Sequence, residues 1–253
     1  MAAEPMLALQ GIGHAFGGLA VLRSVSFEVP DGAIVGLIGP NGSGKTTLFN
    51  IVSGYITPQL GTLVYRGRPL GRDSIQARGR AGLVRTFQTP QVFERMTVLE
   101  NVMAGCAKLT HTSMLQDLLR TPAARGQMRA IQERAEAACE RFGLARLRDL
   151  PAASLTAGQR RILEIARAVV GEPRLLLLDE PSSGLNAQEI DELRSWIVTL
   201  NGAGMTVLLV SHDMGLMTVA PTVHVLYFGE IVASGSMDEI QQNARVREVY
   251  LGV

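Results

Sequence analysis

A short apolar run that breaks into a glycine-rich loop constrains this chain more than any other feature. Ala33 to Ile38 is continuously apolar, the composition of a strand buried on both faces of a sheet. It passes directly into Gly39-Pro40-Asn41-Gly42-Ser43-Gly44-Lys45-Thr46-Thr47. Leu48, Ile51 and Val52 then recur at helical spacing as far as Gly54. Strand, loop and helix in that order complete the pattern G-x-x-x-x-G-K-[ST] in the context that gives it meaning. The residue types have physical reasons. Converging backbone N–H groups make a nest for anionic oxygens, and such a nest needs glycine where side chains would crowd. The helix N-terminus adds its dipole. Lys45 supplies a compact ammonium for the β- and γ-phosphates of a nucleoside triphosphate, and the Thr46 hydroxyl is placed to ligate Mg²⁺. Of 24 cationic residues only Lys45 and Lys108 are lysines. A point charge is thus kept at position 45 in a chain that uses the planar fork of arginine almost everywhere else.

A triphosphate site needs a second group to hold the metal. Leu175-Leu176-Leu177-Leu178-Asp179-Glu180 is an apolar strand ending in two carboxylates. The first carboxylate emerges at the carboxyl edge of the sheet, beside the phosphate loop, and the second faces an attacking water. Asp179 is therefore assigned to Mg²⁺ and Glu180 to the general base.

The rest of the chain organises around these two motifs. Val25, Phe27 and Val29 alternate with polar residues, as in a half-exposed antiparallel strand, and the first 30 residues read as strands. Further strands are expected at Thr62–Tyr65, Ala81–Phe87, Thr206–Val210, Val223–Phe228 and Ile231–Ala233. From Val98 to about Gly143 the period becomes helical, with Met128, Ile131, Ala135, Ala138 and Phe142 on one apolar face. Between Arg120 and Arg148 seven arginines face three glutamates. Such a run reads as a solvated face, with a partner protein or lipid headgroups as the alternatives. Helices are expected over 158–170 and after Asn186, the latter with Ile190, Leu193, Ile197 and Leu200 inward. The reading is one α/β domain spanning 1–253, its core at about 1–89 and 158–253 and a helical lobe inserted at about 90–157. With a net charge of +1 the chain lacks the basic excess of a general nucleic-acid binder. No apolar run approaches the roughly 20 residues of a membrane helix, and the start does not read as a signal peptide. Cys106 and Cys139 match no zinc or redox spacing and read as two reduced thiols.

Taken in order, Gln88 after a strand, Leu155-Thr156-Ala157-Gly158-Gln159 opening a helix, Asp179-Glu180, Ser183-Gly184-Leu185-Asn186 and His212 after a strand resemble the nucleotide-binding subunit of an ATP-binding cassette (ABC) transporter. Within that superfamily the chain is most similar to the ATPases of bacterial branched-chain amino acid importers. The matching stretches include Phe16-Gly17-Gly18, Arg85-Thr86-Phe87-Gln88, Met96-Thr97-Val98-Leu99-Glu100-Asn101, the long insert around 103–130 and Tyr250-Leu251-Gly252. The resemblance implies a P-loop NTPase (RecA-like) core, an N-terminal antiparallel β subdomain and an inserted α-helical subdomain. It implies ATP and Mg²⁺ as ligands and ATP hydrolysis as the reaction. Phe16 would stack on adenine, while residues 39–47 wrap the phosphates. Gln88 would sense Mg²⁺ and the γ-phosphate, and His212 would contact the γ-phosphate. Thr156, Gly158 and Gln159 would reach the nucleotide of an opposite subunit. The usual signature is L-S-G-G-Q, so Thr156 keeps a hydroxyl and Ala157 adds a methyl group. Asn186 stands where Asp is common.

The implied partners are transmembrane permease subunits, a second ATP-binding subunit in a hetero- or homodimer and, indirectly, a periplasmic solute-binding protein. The implied place is the cytoplasmic face of the cell membrane, peripherally bound. Urea or amide uptake, lipopolysaccharide export and a soluble non-transport ABC ATPase are the competing readings.

Overall fold

In the computed structural model, which describes residues 4–106 and 121–251 (the last three by backbone alone), the apolar run before the glycine loop becomes β3 (Ile34–Ile38), with every residue buried. Residues 107–120 of the insert around 103–130, Lys108 among them, the side chains of Tyr250 and Leu251, and Gly252 lie outside the described residues. By internal packing the chain divides into two units, residues 1–88 with 174–183 and 187–253, and residues 89–173 with 184–186.

The first unit holds two sheets. Strands β1 (Leu7–Phe16) and β2 (Leu19–Val29) pair antiparallel, joined by a turn at Gly17 and Gly18. With β4 (Leu60–Tyr65) and β5 (Arg68–Pro69) they form a four-stranded sheet in the order β2-β1-β4-β5. The alternation read from the sequence holds, since Val25, Phe27 and Val29 are buried and the residues between them exposed. The second sheet has six strands. It runs β10 (Glu230–Gly235), β9 (Thr222–Tyr227), β3, β8 (Thr206–Val210), β7 (Leu175–Asp179) and β6 (Leu83–Arg85). Neighbours from β9 to β6 are parallel and β10 is antiparallel. β7 and β8, like β3, are buried throughout, as fully covered parallel strands must be. Leu7, Leu37, Leu48, Phe49, Leu177 and Leu208 belong to one core that joins both sheets to α1 (Lys45–Ser53).

Two expectations of the sequence reading are corrected by the structure. The strand expected at Ala81–Phe87 is confined to Leu83–Arg85, because α2 (Ile75–Arg80) runs up to Ala81 and Gly82 turns the chain at φ 94°. Beyond the short strand, Thr86 N–H still donates to Leu177 O at 3.0 Å. Met128 is exposed at 55 %, so its part of the apolar face has no cover among the described residues.

In the second unit, α3 (Val98–Ala104) starts at a capping box of Thr97 and Glu100, and α4 (Pro122–Arg141) starts with Thr121 as its cap and a proline in the first turn. Ala124, Ile131, Ala135 and Cys139 form the buried side of α4. Helix α5 (Ala157–Val169) also packs in this unit, where it buries Ile162, Leu163, Ile165 and Ala166. The basic run is partly paired: Arg134 meets Glu172 at 2.7 Å, and Arg148 meets Asp149 at 3.4 Å.

The first unit continues after β7 with α6 (Ala187–Gly202), which buries Leu193, Ile197 and Leu200 and leaves Ile190 half-buried. The short α7 (Met214–Met217) follows β8, and α8 (Met237–Gln242) and α9 (Ala244–Leu251) close the chain. Sheet order already sets up a site. The adjacent strands β3, β8 and β7 deliver at their carboxyl ends the glycine loop, His212 and the Asp179-Glu180 pair, the edge where open α/β sheets bind ligands.

Candidate active site

The glycine loop leaves β3 at Gly39. A Cβ there would lie 2.2 Å from Leu226 O and 2.7 Å from Ser43 Oγ, so no other residue fits without moving backbone. The chain then turns, with Ser43 N–H donating to Pro40 O at 3.2 Å, and Gly44 caps α1 at φ 109°. No side chain caps this helix and no acidic residue stands in its first turn. Its N-terminal N–H groups and positive dipole end are left for an anion. Lys45 arches back over the loop and donates from Nζ to Gly39 O at 2.7 Å and Pro40 O at 3.0 Å. Burial pushes its pKa below the ordinary lysine value, while the Glu180 and Asp179 carboxylates pull it back up.

These groups border a cleft of about 430 Å³. Asn41, Gly42, Gly44, Lys45, Thr46 and Thr47 form one side, and Gln88, Asp179 and Glu180 form another. Phe16 stands at the mouth, half exposed, with its ring edge-on to His14 at 4.6 Å. A flat, accessible aromatic face at that place suits a purine ring. Gly39, Pro40 and Ser43 sit behind the lining and shape the loop.

The carboxylates are held differently. Asp179 ends β7, 5 % exposed, and its Oδ2 accepts from Arg85 Nη2 at 2.7 Å. Glu180 lies one residue beyond, at φ 47°, a left-handed backbone that side-chain-bearing residues seldom adopt. Its N–H donates to Val210 O at 2.9 Å, which ties the turn to β8. Its Oε2 accepts from the backbone N–H of His212 at 3.2 Å and lies 2.7 Å from His212 Nδ1. The loop carrying His212 is fixed in turn by Ser211, whose hydroxyl pairs with Ser182 at 3.1 Å and accepts from Asp213 N–H.

Thr156, Gly158 and Gln159 open α5 in the second unit. Thr156 Oγ1 accepts from Gln159 N–H at 3.2 Å, and Gln159 Oε1 accepts from Thr156 N–H at 3.0 Å. Both side chains are thereby engaged in closing the helix. Thr156 and Ala157 are exposed and Gly158 is buried.

Three cleft residues were not foreseen from the sequence. Leu19 and Val21 of β2 add apolar wall beside Phe16, and Val210, the last residue of β8, also lines the cleft. Leu19 is 70 % exposed, an uncovered apolar side chain of the kind that marks a binding surface.

A nest at a helix N-terminus, with a half-buried lysine and two acids facing it across the end of a parallel sheet, defines a nucleoside triphosphate-binding α/β protein. The comparisons narrow that class. Residues 22–183 match the family described as ABC transporter, and residues 230–253 match the family described as Branched-chain amino acid ATP-binding cassette transporter. The chain belongs to the ABC transporter family and is an ABC ATPase. It is 41 % identical to the High-affinity branched-chain amino acid transport ATP-binding protein LivG of Salmonella typhimurium, over 98 % of each chain. It is 37 % identical to BraF of Pseudomonas aeruginosa, a protein of the same description, again over 98 % of each. Among solved structures it resembles the ADP conformation of MJ1267, an ATP-binding cassette of an ABC transporter. That likeness has a TM-score of 0.85 at 29 % identity and covers 99 % of this chain and 100 % of that one.

Proposed function

We propose that this chain is the ATP-hydrolysing subunit of a membrane importer for branched-chain or related amino acids. The observation that carries the reading is the match of the last 24 residues, 230–253, to the branched-chain amino acid cassette family, together with full-length similarity to LivG and BraF. No described helix is long and apolar enough to cross a membrane. In this reading the pore belongs to permease subunits, to which the chain docks from the cytoplasmic side, with a second ATP-binding subunit beside it and a solute-binding protein on the far side of the membrane.

The proposed chemistry follows from the donors in the cleft. Phe16 stacks on the base. The loop N–H groups and the Lys45 ammonium hold the phosphates, and the ammonium exchanges its bonds to Gly39 and Pro40 for phosphate oxygens. Thr46, Asp179 and Gln88 offer a hydroxyl, a carboxylate and an amide oxygen, hard donors that suit Mg²⁺, which favours oxygen and keeps phosphates and water as its remaining ligands. Bound there, Mg²⁺ would neutralise charge on the β- and γ-phosphates. Glu180 accepts the proton of the water that attacks the γ-phosphorus, and His212 orients that carboxylate. Thr156, Gly158 and Gln159 complete the site of the opposite subunit mainly through the backbone start of α5, because the two side chains cap it. Cleavage of the γ-phosphate then releases the closed dimer and moves the permease.

The test is uptake in source cells whose only copy carries Glu180→Gln. Loss of energised uptake of labelled leucine, isoleucine and valine is expected. Unchanged uptake of all three, with loss of urea or amide uptake instead, overturns the cargo assignment and leaves the ATPase assignment standing.

A further inference from the structure

Asp179 does not stand alone at the end of β7. Its Oδ2 is held at 2.7 Å by Arg85 Nη2, and the two side chains are only 8 % and 5 % exposed. The other arm of the same guanidinium, Nη1, reaches α1, donating to Asn50 Oδ1 at 2.7 Å and Ser53 Oγ at 3.0 Å. Phe49 and Phe87 flank it, with Cζ 5.5 and 5.3 Å from their ring centroids. One fork therefore fastens the helix that follows the phosphate loop to the acid that ends β7.

A buried ion pair is a poor way simply to hold a fold together. Desolvating both charges offsets most of their attraction, and packed apolar residues of the same volume serve about as well. What an arginine fork adds is direction, since its planar donors fix the orientation of the carboxylate they grip. Here they grip Oδ2 alone. Asp179 lines the cleft, and its Oδ1 accepts no hydrogen bond among the described residues. The aromatic faces and the two α1 acceptors keep the guanidinium from following a carboxylate that rotates.

We propose that Arg85 is the positioning residue of this site: braced on α1 by Asn50 and Ser53, it aims the Asp179 carboxylate at the divalent cation that accompanies the nucleotide. The proposal rests on the reading of Asp179 as the carboxylate of that cation. Arg85 does not line the cleft, whereas Asp179 does, so it acts through Asp179. Lysine at this position keeps the charge and loses the second arm, so it cannot join α1 to β7.

The experiment measures affinity of the full chain for a fluorescent ATP analogue with Mn²⁺ and again in EDTA. The readout is the ratio of the two, which a general loss of fold would leave unchanged. In Arg85→Lys the metal-dependent gain should fall at least fivefold, while the affinity in EDTA stays within twofold. Asn50→Leu, which keeps the charge pair and cuts its brace, should shift the ratio in the same direction and stands in if Arg85→Lys does not fold. An equal loss in both media, or no change in either, overturns the proposal. Asp179→Asn separates the two readings. If it keeps the full metal-dependent gain, Asp179 is not the cation's carboxylate. If it loses the gain while Arg85→Lys and Asn50→Leu keep it, Asp179 stands and Arg85 is not its positioner.

Discussion

Glu180 and His212 meet twice: one carboxylate oxygen of the glutamate accepts from the histidine's backbone N–H at 3.2 Å and lies 2.7 Å from its ring Nδ1. The backbone contact would persist whatever side chain stood at 212, whereas the ring contact depends on histidine. With one oxygen so occupied, the other is left for water.

Replacing Glu180 with Gln keeps shape and size and removes the basicity. ATP hydrolysis should fall by about 10²–10⁴-fold, the usual range for loss of a general base. ATP binding should remain, and the variant should elute as a nucleotide-bound dimer on size-exclusion chromatography. Hydrolysis at the parental rate would remove Glu180 from the mechanism. His212→Ala should slow hydrolysis less, because the backbone bond to Glu180 survives.

Lys45→Ala should weaken nucleotide binding by more than 100-fold, since it deletes the only side-chain cation lining the cleft among the described residues. Equilibrium dialysis with labelled nucleotide reads this directly. An unchanged dissociation constant would dismiss the phosphate-loop assignment.

Arg78, 2 % exposed, closes the other end of the same helix. Its Nη1 donates to Ile51 O and Val52 O at 2.6 and 2.8 Å, and its Nε donates to Asp73 O at 3.1 Å. Arg78→Ala would take the guanidinium donors from all three carbonyls and leave Ile51 O with the Gly54 N–H alone, at 3.2 Å. A loss of about 3 kcal/mol is expected, given that each hydrogen bond to a charged group is worth about 1.5–3 kcal/mol and relaxation recovers part. For a chain of this size that is roughly 10 °C in melting temperature. A shift under 2 °C by calorimetry would mean that water takes over the carbonyls.

His224 should make the fold sensitive to mild acid. It is 7 % exposed, stacked 4.6 Å from Phe27 and bonded through Nδ1 to Ser234 Oγ at 2.7 Å. Burial lowers its pKa below the ordinary 6.5. The unfolded chain therefore takes up the proton first as pH falls, so this contribution is complete above about 6.5 and is lost progressively below it. The urea midpoint should drop between pH 7.5 and 5.5, and the drop should be smaller in His224→Gln. An equal drop in both proteins would assign the acid sensitivity to other groups.

Much of this architecture was legible in the residues because the parallel sheet buries its strands on both faces. Ile34–Ile38, Leu175–Leu178 and Thr206–Val210 could be nothing else once each ran into a loop of small or charged residues. The glycine loop was legible for a steric reason, visible in the 2.2 Å approach to Gly39. The role of Arg85 was not, because its partner lies 94 residues away and the two meet only because β6 is laid beside β7. An arginine inside an apolar strand does signal that a buried partner exists, but only the strand order says which. Helix α2 escaped notice because six residues containing Gly79 carry no amphipathic period; it is held by the Ser74 cap and by Arg78. The spacing T-x-x-Q at 156–159 was visible and carries two meanings, a cap and a ligand. In α5 the two side chains form the cap.

The strained backbone of Glu180 sets folding against turnover at one position. Of the four described non-glycine residues with positive φ, it alone lines the cleft. Glycine would relax that turn by about 1 kcal/mol and remove the carboxylate proposed as the base in the same stroke. Glu180→Gly is therefore expected to melt higher and to turn over less, two opposite effects of one substitution.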